Sequence, residues 1–513
     1  MIPSSPPWGN TEKSLAMKLI IFVSKVILMV YQRTKDTFKS LYIFYGRIRN
    51  MKKDLWILTE ERPKPEVVKT IIELFVNDRN GTISVSEIMI APLFDADHKF
   101  TFCYEVRGVN SSIISKIFIK TVSGSSSFCD FLLFYQDEEP SEGAEPLYAI
   151  EETKTDDSES RNTGVYQRAS KFIYIGKYFS NVQKVMLYNL QVKQKEIPTA
   201  TYLFGTRMLL TLGIRIIGKN LDETIFKPFS SVEEFVAVKS NMRKAPNGNI
   251  PIEITKVSDT KITISGRLIK SNSLGHDPNI GALSLMSATL RKLGWVKDIE
   301  ITRHGLSQCH VKPTNKFIKI ASLLNVSLEG LSMPSRITFK ETYWRYEKTG
   351  EKLGTIFVHL ATEFFTNGIA IFENHAGSEK GYLIKRDGTP LPLPKYTDRV
   401  AYKNGDHSQI YFIPDLILYD RDRNEIINIE GKTYANKGKG IDELSNYTPI
   451  ENDFIKPEYK DCRIKRTVVL YGSNETNIAE KEIGLLLTEA GKIVLGRDAP
   501  SLFNEIKNEI YKR

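Results

Sequence analysis

Cysteine is scarce in this 513-residue chain, which contains four, at Cys103, Cys129, Cys309 and Cys462. They lie far apart and form no C-x-x-C pair, which argues against a disulfide framework and against a paired zinc knuckle. The stretch HGLSQCH, residues 304–310, holds two histidines and one cysteine, but no second ligand pair follows it, so it does not predict a zinc site. Reduced thiols suit the cytosol, and we expect a cytoplasmic protein.

Long apolar runs are also rare. The longest, MKLIIFVSKVILMVY at residues 17–31, is short for a bilayer span and is interrupted by Lys25. We therefore interpret residues 1–50 as a leader or dispensable extension and expect no membrane partner, with a membrane anchor as the alternative. The chain also lacks the P-loop pattern GxxxxGK[ST], which argues against a fused helicase.

The composition is that of a globular protein with 41% hydrophobic and 26% charged residues, and the length suggests two to four domains. The formal net charge is +10. A basic balance suits a polyanionic partner such as nucleic acid.

Element order repeats between the two ends of the chain. Residues 51–219 and 347–513 each read as a helix, several strands and a further helix. Residues 220–346 read as a hairpin followed by helices, among them NKFIKIASLLNVSLEGLS at 315–332, with recurring basic residues. The pattern predicts an α/β fold, with mixed sheets flanked by helices, in two outer domains around a middle one.

The C-terminal third places charged residues in strands that otherwise read as buried. Asp415 opens DLILYD, and Glu430 and Lys432 end INIEGK, where alternation puts both on one face. If the two strands pair, Asp415 and Glu430 converge, and two close carboxylates require a cation between them. Oxygen ligands favour Mg²⁺, and Lys432 would neutralise charge on a phosphate and position or help to deprotonate water.

A similar set occurs in the N-terminal third. Asp130 lies in FCDFLLFY, and Glu152 and Lys154 end PLYAIEETKT. Alternation places Glu151 on the face opposite Lys154, so Glu152 is the expected partner of Asp130.

The two sets, PD…EGK and CD…ETK, resemble the PD-(D/E)XK signature of the restriction-endonuclease-like nucleases. The resemblance implies a mixed sheet flanked by helices, with acidic residues that bind Mg²⁺ for phosphodiester hydrolysis. The implied catalytic residues are Asp415, Glu430 and Lys432 in one site, and Asp130, Glu152 and Lys154 in the other, which lacks the proline. Some members add a glutamate from the first helix, for which Glu73 and Glu363 are the candidate metal ligands.

Two such sites in one chain resemble Type IIS restriction endonucleases with two catalytic centres, each of which cuts one strand of double-stranded DNA. The resemblance implies a sequence-specific, Mg²⁺-dependent endonuclease whose functional partner is a cognate DNA methyltransferase. It also implies two restriction-endonuclease-like domains around a middle DNA-recognition domain. Two alternatives remain open: a structure-specific repair nuclease, or one active site beside a catalytically dead, DNA-binding copy.

Target recognition is then expected in the middle region, where arginine can pair with guanine and lysine can contact phosphate. The candidate DNA contacts are Arg267, Lys270, Arg291, Lys292, Arg303 and Lys316.

Overall fold

The computed structural model confirms the predicted fold class, because it is a mixed α/β fold in which helices flank mixed sheets. Residues 1–50, Lys154 and Lys270 lie outside the part that it describes. The described residues are 52–124, 128–153, 164–188, 200–218, 225–242, 252–267, 278–375, 382–393 and 411–512.

Nine of the described strands form the first sheet, in the order β2-β3-β4-β1-β5-β6-β7-β8, with β13 paired to β4. Because β13 belongs to the stretch expected to be the middle domain, that stretch contributes a strand to the first sheet. The strands are β1 (Lys53–Thr59), β2 (Ile83–Phe94), β3 (Phe100–Ser111), β4 (Ile114–Gly124), β5 (Phe131–Tyr135), β6 (Tyr148–Thr153), β7 (Gln183–Tyr188), β8 (Arg215–Ile217) and β13 (Trp344–Tyr346).

A four-stranded sheet in the middle of the chain has the order β12-β11-β10-β9. The predicted hairpin is confirmed, because β9 and β10 are antiparallel neighbours. The strands are β9 (Glu253–Lys256), β10 (Lys261–Ser265), β11 (Asp298–Thr302) and β12 (Val326–Leu328).

The last third of the chain forms a six-stranded sheet in the order β14-β17-β18-β19-β20-β21, beside a small two-stranded sheet. The six strands are β14 (Ile369–Glu373), β17 (Leu416–Asp420), β18 (Glu425–Thr433), β19 (Arg463–Tyr471), β20 (Ile483–Leu487) and β21 (Ile493–Leu495). The small sheet pairs β15 (Tyr382–Ile384) with β16 (Pro390–Pro392).

Apolar residues at helical spacing bury one face of each long helix. Pro65 begins the first helix, where its missing N–H costs nothing. A series of short helical turns from Tyr434 to Glu458 links β18 to β19 and includes α8. The helices are α1 (Pro65–Asp78), α2 (Gly164–Ile175), α3 (Ala200–Thr211), α4 (Val232–Ser240), α5 (Pro278–Lys292), α6 (Lys316–Leu323), α7 (Lys352–Phe365), α8 (Lys437–Glu443) and α9 (Ser501–Tyr511).

The first and last sheets share one strand framework. The series β1-β5-β6-β7-β8 pairs antiparallel, antiparallel, parallel and parallel. The series β14-β17-β18-β19-β20 has the same directions. A helical crossover joins the first parallel pair in each, as parallel strands require: α2 in the first sheet, and the turns from Tyr434 to Glu458 in the last.

The two ends of the chain share a hydrophobic core, in which the buried faces of α1 and α7 pack with one face of each sheet. The other face of the first sheet packs against α2 and the middle region. The other face of the last sheet packs against the turns that follow β18. Across the described ranges, every helix is too short or too polar to cross a bilayer.

Candidate active sites

The C-terminal candidate residues converge at one end of β17 and β18. Leu416 pairs with Ile429, so the next residues, Asp415 and Glu430, are neighbours across the strands. The Gly431 N–H donates to Asp415 Oδ2 at 2.9 Å. The three predicted residues are therefore brought together on the face that the turns after β18 cover.

The two carboxylates differ in how they are held. Lys432 Nζ donates to Glu430 Oε1, and it also contacts Glu443 Oε2 at 2.9 Å. The Tyr447 hydroxyl donates to Glu430 Oε2. The Asp415 backbone is fixed by the Asn374 N–H, which donates to its carbonyl oxygen at 2.7 Å. These contacts hold the carboxylates in place before any ligand binds.

Burial and the repulsion between neighbouring acids change the pKa values of the side chains in this cluster. Burial raises the pKa of Asp415, and the nearby charge of Glu351 adds to that effect. Burial also raises the pKa of Glu430, with the Asp415 charge as the next cause. Burial lowers the pKa of Lys432, but Glu430 outweighs it and raises that pKa overall. The ammonium stays charged, while the carboxylates are held in an unfavourable environment that a cation would relieve.

Gly431 is required by close packing. An added Cβ there would lie 2.5 Å from Thr355 Cγ2 on α7 and 3.2 Å from Asp415 Oδ2. The glycine of the EGK motif therefore lets α7 approach the strand and keeps the Asp415 carboxylate on its backbone N–H.

The N-terminal cluster repeats this arrangement one residue earlier than the sequence motif suggests. Phe131 pairs with Ile150, so Asp130 is the neighbour of Glu151. The Glu152 N–H donates to Asp130 Oδ2 at 2.8 Å. Glu152 thus has the position that Gly431 has in the other sheet, and Glu151 corresponds to Glu430.

The expected role of Glu152 is therefore corrected. Strand alternation does put Glu152 opposite Glu151, but it is Glu151 whose carboxylate shares the Asp130 side. The position that corresponds to Lys432 is Thr153, and Lys154 lies outside the described residues. Alternation alone cannot tell which of two adjacent acidic residues lies on the same face of the sheet as Asp130, because that depends on the register between β5 and β6.

Helix α2 supplies the positive charge that β6 does not. Lys171 Nζ lies 2.7 Å from Glu151 Oε1 and 3.3 Å from Asp130 Oδ1. Arg168 Nη1 lies 3.5 Å from Glu151 Oε1 and 3.8 Å from Asp130 Oδ2. Burial raises the pKa of Glu151 to about 8, with Asp130 as the next cause and Lys171 opposing both. Sequence reasoning missed Glu151 and Lys171, although Lys171 follows Arg168 by three residues and so shares its helix face.

The two glutamates proposed from the first helix do not join the clusters. Glu73 lies on α1, which packs against the other face of the first sheet, and its carboxylate pairs with Lys69 at 3.8 Å. Glu363 pairs with Arg62 at 3.5 Å. It lies twelve residues beyond Glu351, or about 18 Å along the helix axis, and Glu351 is the residue whose charge acts on Asp415. On the N-terminal side, Glu60 at the end of β1 interacts electrostatically with Asp130 and Lys171.

Two of the expected DNA contacts are structural instead. The Arg291 guanidinium donates to four backbone carbonyl oxygens at 2.6–2.7 Å, so only one of its five N–H groups is left for another partner. Lys316 is buried, and burial lowers its pKa to about 8, with the Lys171 charge as the next cause. It therefore lies beside the N-terminal cluster and not on the surface.

Three of the remaining basic candidates are exposed. Arg267 and Arg303 follow the parallel neighbours β10 and β11, so both lie at the carboxyl edge of the middle sheet. Lys292 is exposed at the end of α5. Lys270 lies outside the described residues.

No family model, curated protein or solved structure matches this chain. The functional argument therefore depends on the geometry of the two clusters.

The C-terminal donor set fits Mg²⁺. Asp415 and Glu430 provide adjacent carboxylate oxygens, which are the ligands that Mg²⁺ prefers. Burial is the main cause of their raised pKa values, because it makes the ionised forms costly, and a bound cation would offset that cost. The N-terminal set fits less well, because Lys171 already bridges the two carboxylates.

Proposed function

We propose that this protein is a Mg²⁺-dependent DNA endonuclease with two unequal centres. The C-terminal centre nicks one strand rapidly, and the N-terminal centre nicks the other strand more slowly. One observation carries the proposal. In each sheet, a backbone N–H at the corresponding strand position donates to an aspartate, and that aspartate lies opposite a glutamate that contacts a lysine ammonium. Buried carboxylate pairs of this kind are costly to ionise unless a cation neutralises part of their charge.

In the C-terminal centre, each side chain has a distinct task. Bound to Asp415 and Glu430, Mg²⁺ would act as a Lewis acid and lower the pKa of a coordinated water. Lys432 is charged at neutral pH, so it stabilises negative charge on the phosphate and is a poor proton acceptor. Tyr447 and the Gly431 N–H hold the two carboxylates in position, which lowers the cost of ordering them for reaction.

In the N-terminal centre, Lys171 takes the task of Lys432. Lys171 and Arg168, with Lys316 nearby, offset the charges of Asp130 and Glu151. A metal ion must displace part of this positive charge, so we expect weaker Mg²⁺ binding there. In the limiting case this centre is inactive and only positions DNA, which is the second candidate function that the same charge balance favours.

The exposed Arg267 and Arg303 provide a surface for DNA on the middle sheet. Sequence-specific cleavage at an asymmetric site by one chain would make the protein a Type IIS restriction enzyme. A methyltransferase of the same specificity would then protect the host DNA.

The test is cleavage of supercoiled plasmid with Mg²⁺, followed by run-off sequencing of both strands. Discrete cuts support site-specific cleavage, whereas a smear of fragments supports a repair nuclease. Asp415→Ala should leave the slow nick on one strand, and Asp130→Ala the fast nick on the other. If one substitution abolished both nicks while the other changed nothing, the two-centre proposal would be wrong.

A further inference from the structure

A second group of metal-ligating side chains lies beside the C-terminal cluster and has no task in the proposed hydrolysis. It consists of His359 on α7, Glu373 at the end of β14, and His375. Within the described part of the chain, this is the one set of three histidine, cysteine or acidic side chains close enough to share an ion. Both histidines are almost completely buried, with exposed side-chain fractions of 1% and 3%.

The separations between the three ligand atoms suit one tetrahedral ion. His359 Nδ1 lies 3.0 Å from His375 Nε2 and 3.5 Å from Glu373 Oε2. His375 Nε2 lies 3.9 Å from the same carboxylate oxygen. Bonds of about 2.0–2.2 Å to zinc place tetrahedral ligand atoms about 3.3–3.6 Å apart, so small movements would complete the geometry.

The outer nitrogens of both imidazoles are already oriented. His359 Nε2 lies 3.1 Å from Glu363 Oε1, and His375 Nδ1 lies 2.9 Å from Thr355 Oγ1. Metal-binding histidines usually carry such a partner on the second nitrogen, which fixes the tautomer and turns the lone pair toward the metal. Glu363 therefore gains a role as the residue that orients His359.

Two basic side chains from the N-terminal part of the described chain already contact Glu373 of this group. Arg62 Nη2 donates to Glu373 Oε1 at 3.2 Å, and Lys64 Nζ lies 3.5 Å from the same oxygen. Arg62 Nε also contacts Glu373 Oε2, the oxygen nearest the histidines. A metal ion must share that oxygen with Arg62, so the two cations compete for one carboxylate.

We propose that His359, Glu373 and His375 form a structural site for a transition metal of the zinc class. Imidazole nitrogens favour zinc over Mg²⁺, so this site differs in chemistry from the Asp415 cluster. It would join α7 to the end of β14. Between the two ligands Glu373 and His375 lies Asn374, whose backbone N–H donates to the Asp415 carbonyl oxygen. The metal would therefore stabilise the framework of the nuclease centre without taking part in hydrolysis.

The first measurement is the zinc content of the tag-free full chain after dialysis against metal-free buffer. About one zinc per chain is expected for one site of this kind, and a chelator should lower the melting temperature. Zinc-free protein whose melting temperature is unaffected by chelator or added zinc would overturn the proposal, because the histidines would then form a hydrogen-bonded chain from Thr355 to Glu363.

Variants locate the ion. His375→Gln and His359→Gln should each lose the zinc, and His310→Gln, which alters the HGLSQCH stretch, should keep it. Visible absorption of four-coordinate Co²⁺ provides a second readout that does not depend on activity. It should persist in Asp415→Asn and disappear in His375→Gln; the reverse result would assign the metal to the carboxylate cluster and contradict the proposal.

Discussion

The two clusters have the same strand framework but obtain their positive charge from different elements. In the C-terminal cluster, Lys432 belongs to the strand that carries Glu430 and contacts Glu430 without bridging to Asp415. In the N-terminal cluster, Lys171 comes from the following helix and bridges both carboxylates. Strand register thus fixes where the acidic side chains lie, whereas the positively charged side chain can come from any element that covers the same face of the sheet.

The difference also sets how much each cluster needs an added cation. Asp415 and Glu430 have one ammonium close by, that of Lys432, which also contacts Glu443. Asp130 and Glu151 face a lysine and an arginine. Each N-terminal carboxylate therefore lies within 3.8 Å of both Lys171 and Arg168, although Glu60 adds a negative charge there. In the C-terminal pair, the ammonium of Lys432 contacts Glu430 alone.

The largest effect is expected for Asp415→Ala. Loss of this carboxylate should slow the fast nick by on the order of 10³-fold, as for removal of one strong electrostatic contribution to catalysis. The slow nick on the other strand should remain. Rates of strand-resolved plasmid nicking provide the measurement, with Asp422→Ala, in the exposed turn between β17 and β18, as the matched control.

The two lysines test the proposed correspondence between the clusters. Lys432→Met should slow the fast nick by about 10²-fold and Lys171→Met the slow nick by a similar factor. Lys171→Met should at the same time tighten metal binding at the N-terminal cluster, because the bridging cation is gone. Lys154→Met is the control, and if it slowed the nick more than Lys171→Met, the assignment of Lys171 would be wrong.

The pH dependence should distinguish the fast centre from an ordinary surface site. Because the pKa values of Asp415 and Glu430 are raised, both acids are partly protonated in mildly acidic solution, and a protonated carboxyl does not bind Mg²⁺. The fast nick should accelerate as pH rises through the raised pKa values, by up to about tenfold per unit for each proton released. Higher Mg²⁺ should shift the profile to lower pH; a profile independent of Mg²⁺ would contradict metal binding by this pair.

The smallest effects on cleavage are expected in the middle region. Arg291→Ala removes four hydrogen bonds to carbonyl oxygens and should cost roughly 2–3 kcal/mol of unfolding free energy, with little change in DNA affinity. Lys292→Ala should change stability by less than about 0.5 kcal/mol. Chemical denaturation and DNA binding at several salt concentrations provide the measurements.

The exposed pair should behave in the opposite way. Arg267→Ala and Arg303→Ala should weaken DNA binding, with stability unchanged. The slope of log affinity against log salt concentration should become shallower by about 0.9 for each phosphate that is no longer neutralised. If Arg291→Ala weakened DNA binding more than these two, its structural assignment would fail.

The C-terminal cluster could be predicted from the sequence because a short turn joins β17 to β18. With that turn, alternation in each strand is enough to bring Asp415, Glu430 and Lys432 to one face. The N-terminal cluster could not be resolved, because a longer connection leaves the register between β5 and β6 open by one residue. That single residue decides between Glu151 and Glu152.

Other differences depend on tertiary contacts that no local pattern contains. The helix predicted for residues 315–332 ends at Leu323, because Asn325 adopts a left-handed conformation (φ 50°) and the chain then enters β12. The carbonyl oxygens that Arg291 binds come from two separate loops. The histidine pair is sixteen residues apart, and only the packing of α7 against β14 brings it together.

The most direct test of the two unequal centres is to count Mn²⁺ binding, as a paramagnetic substitute for Mg²⁺, in zinc-loaded protein. We predict one tighter and one weaker site in the unaltered chain, with Asp415→Asn removing the tighter and Asp130→Asn the weaker. A binding curve unchanged by Asp415→Asn, or a tighter site removed by Asp130→Asn, would contradict the charge balance on which the two centres are distinguished.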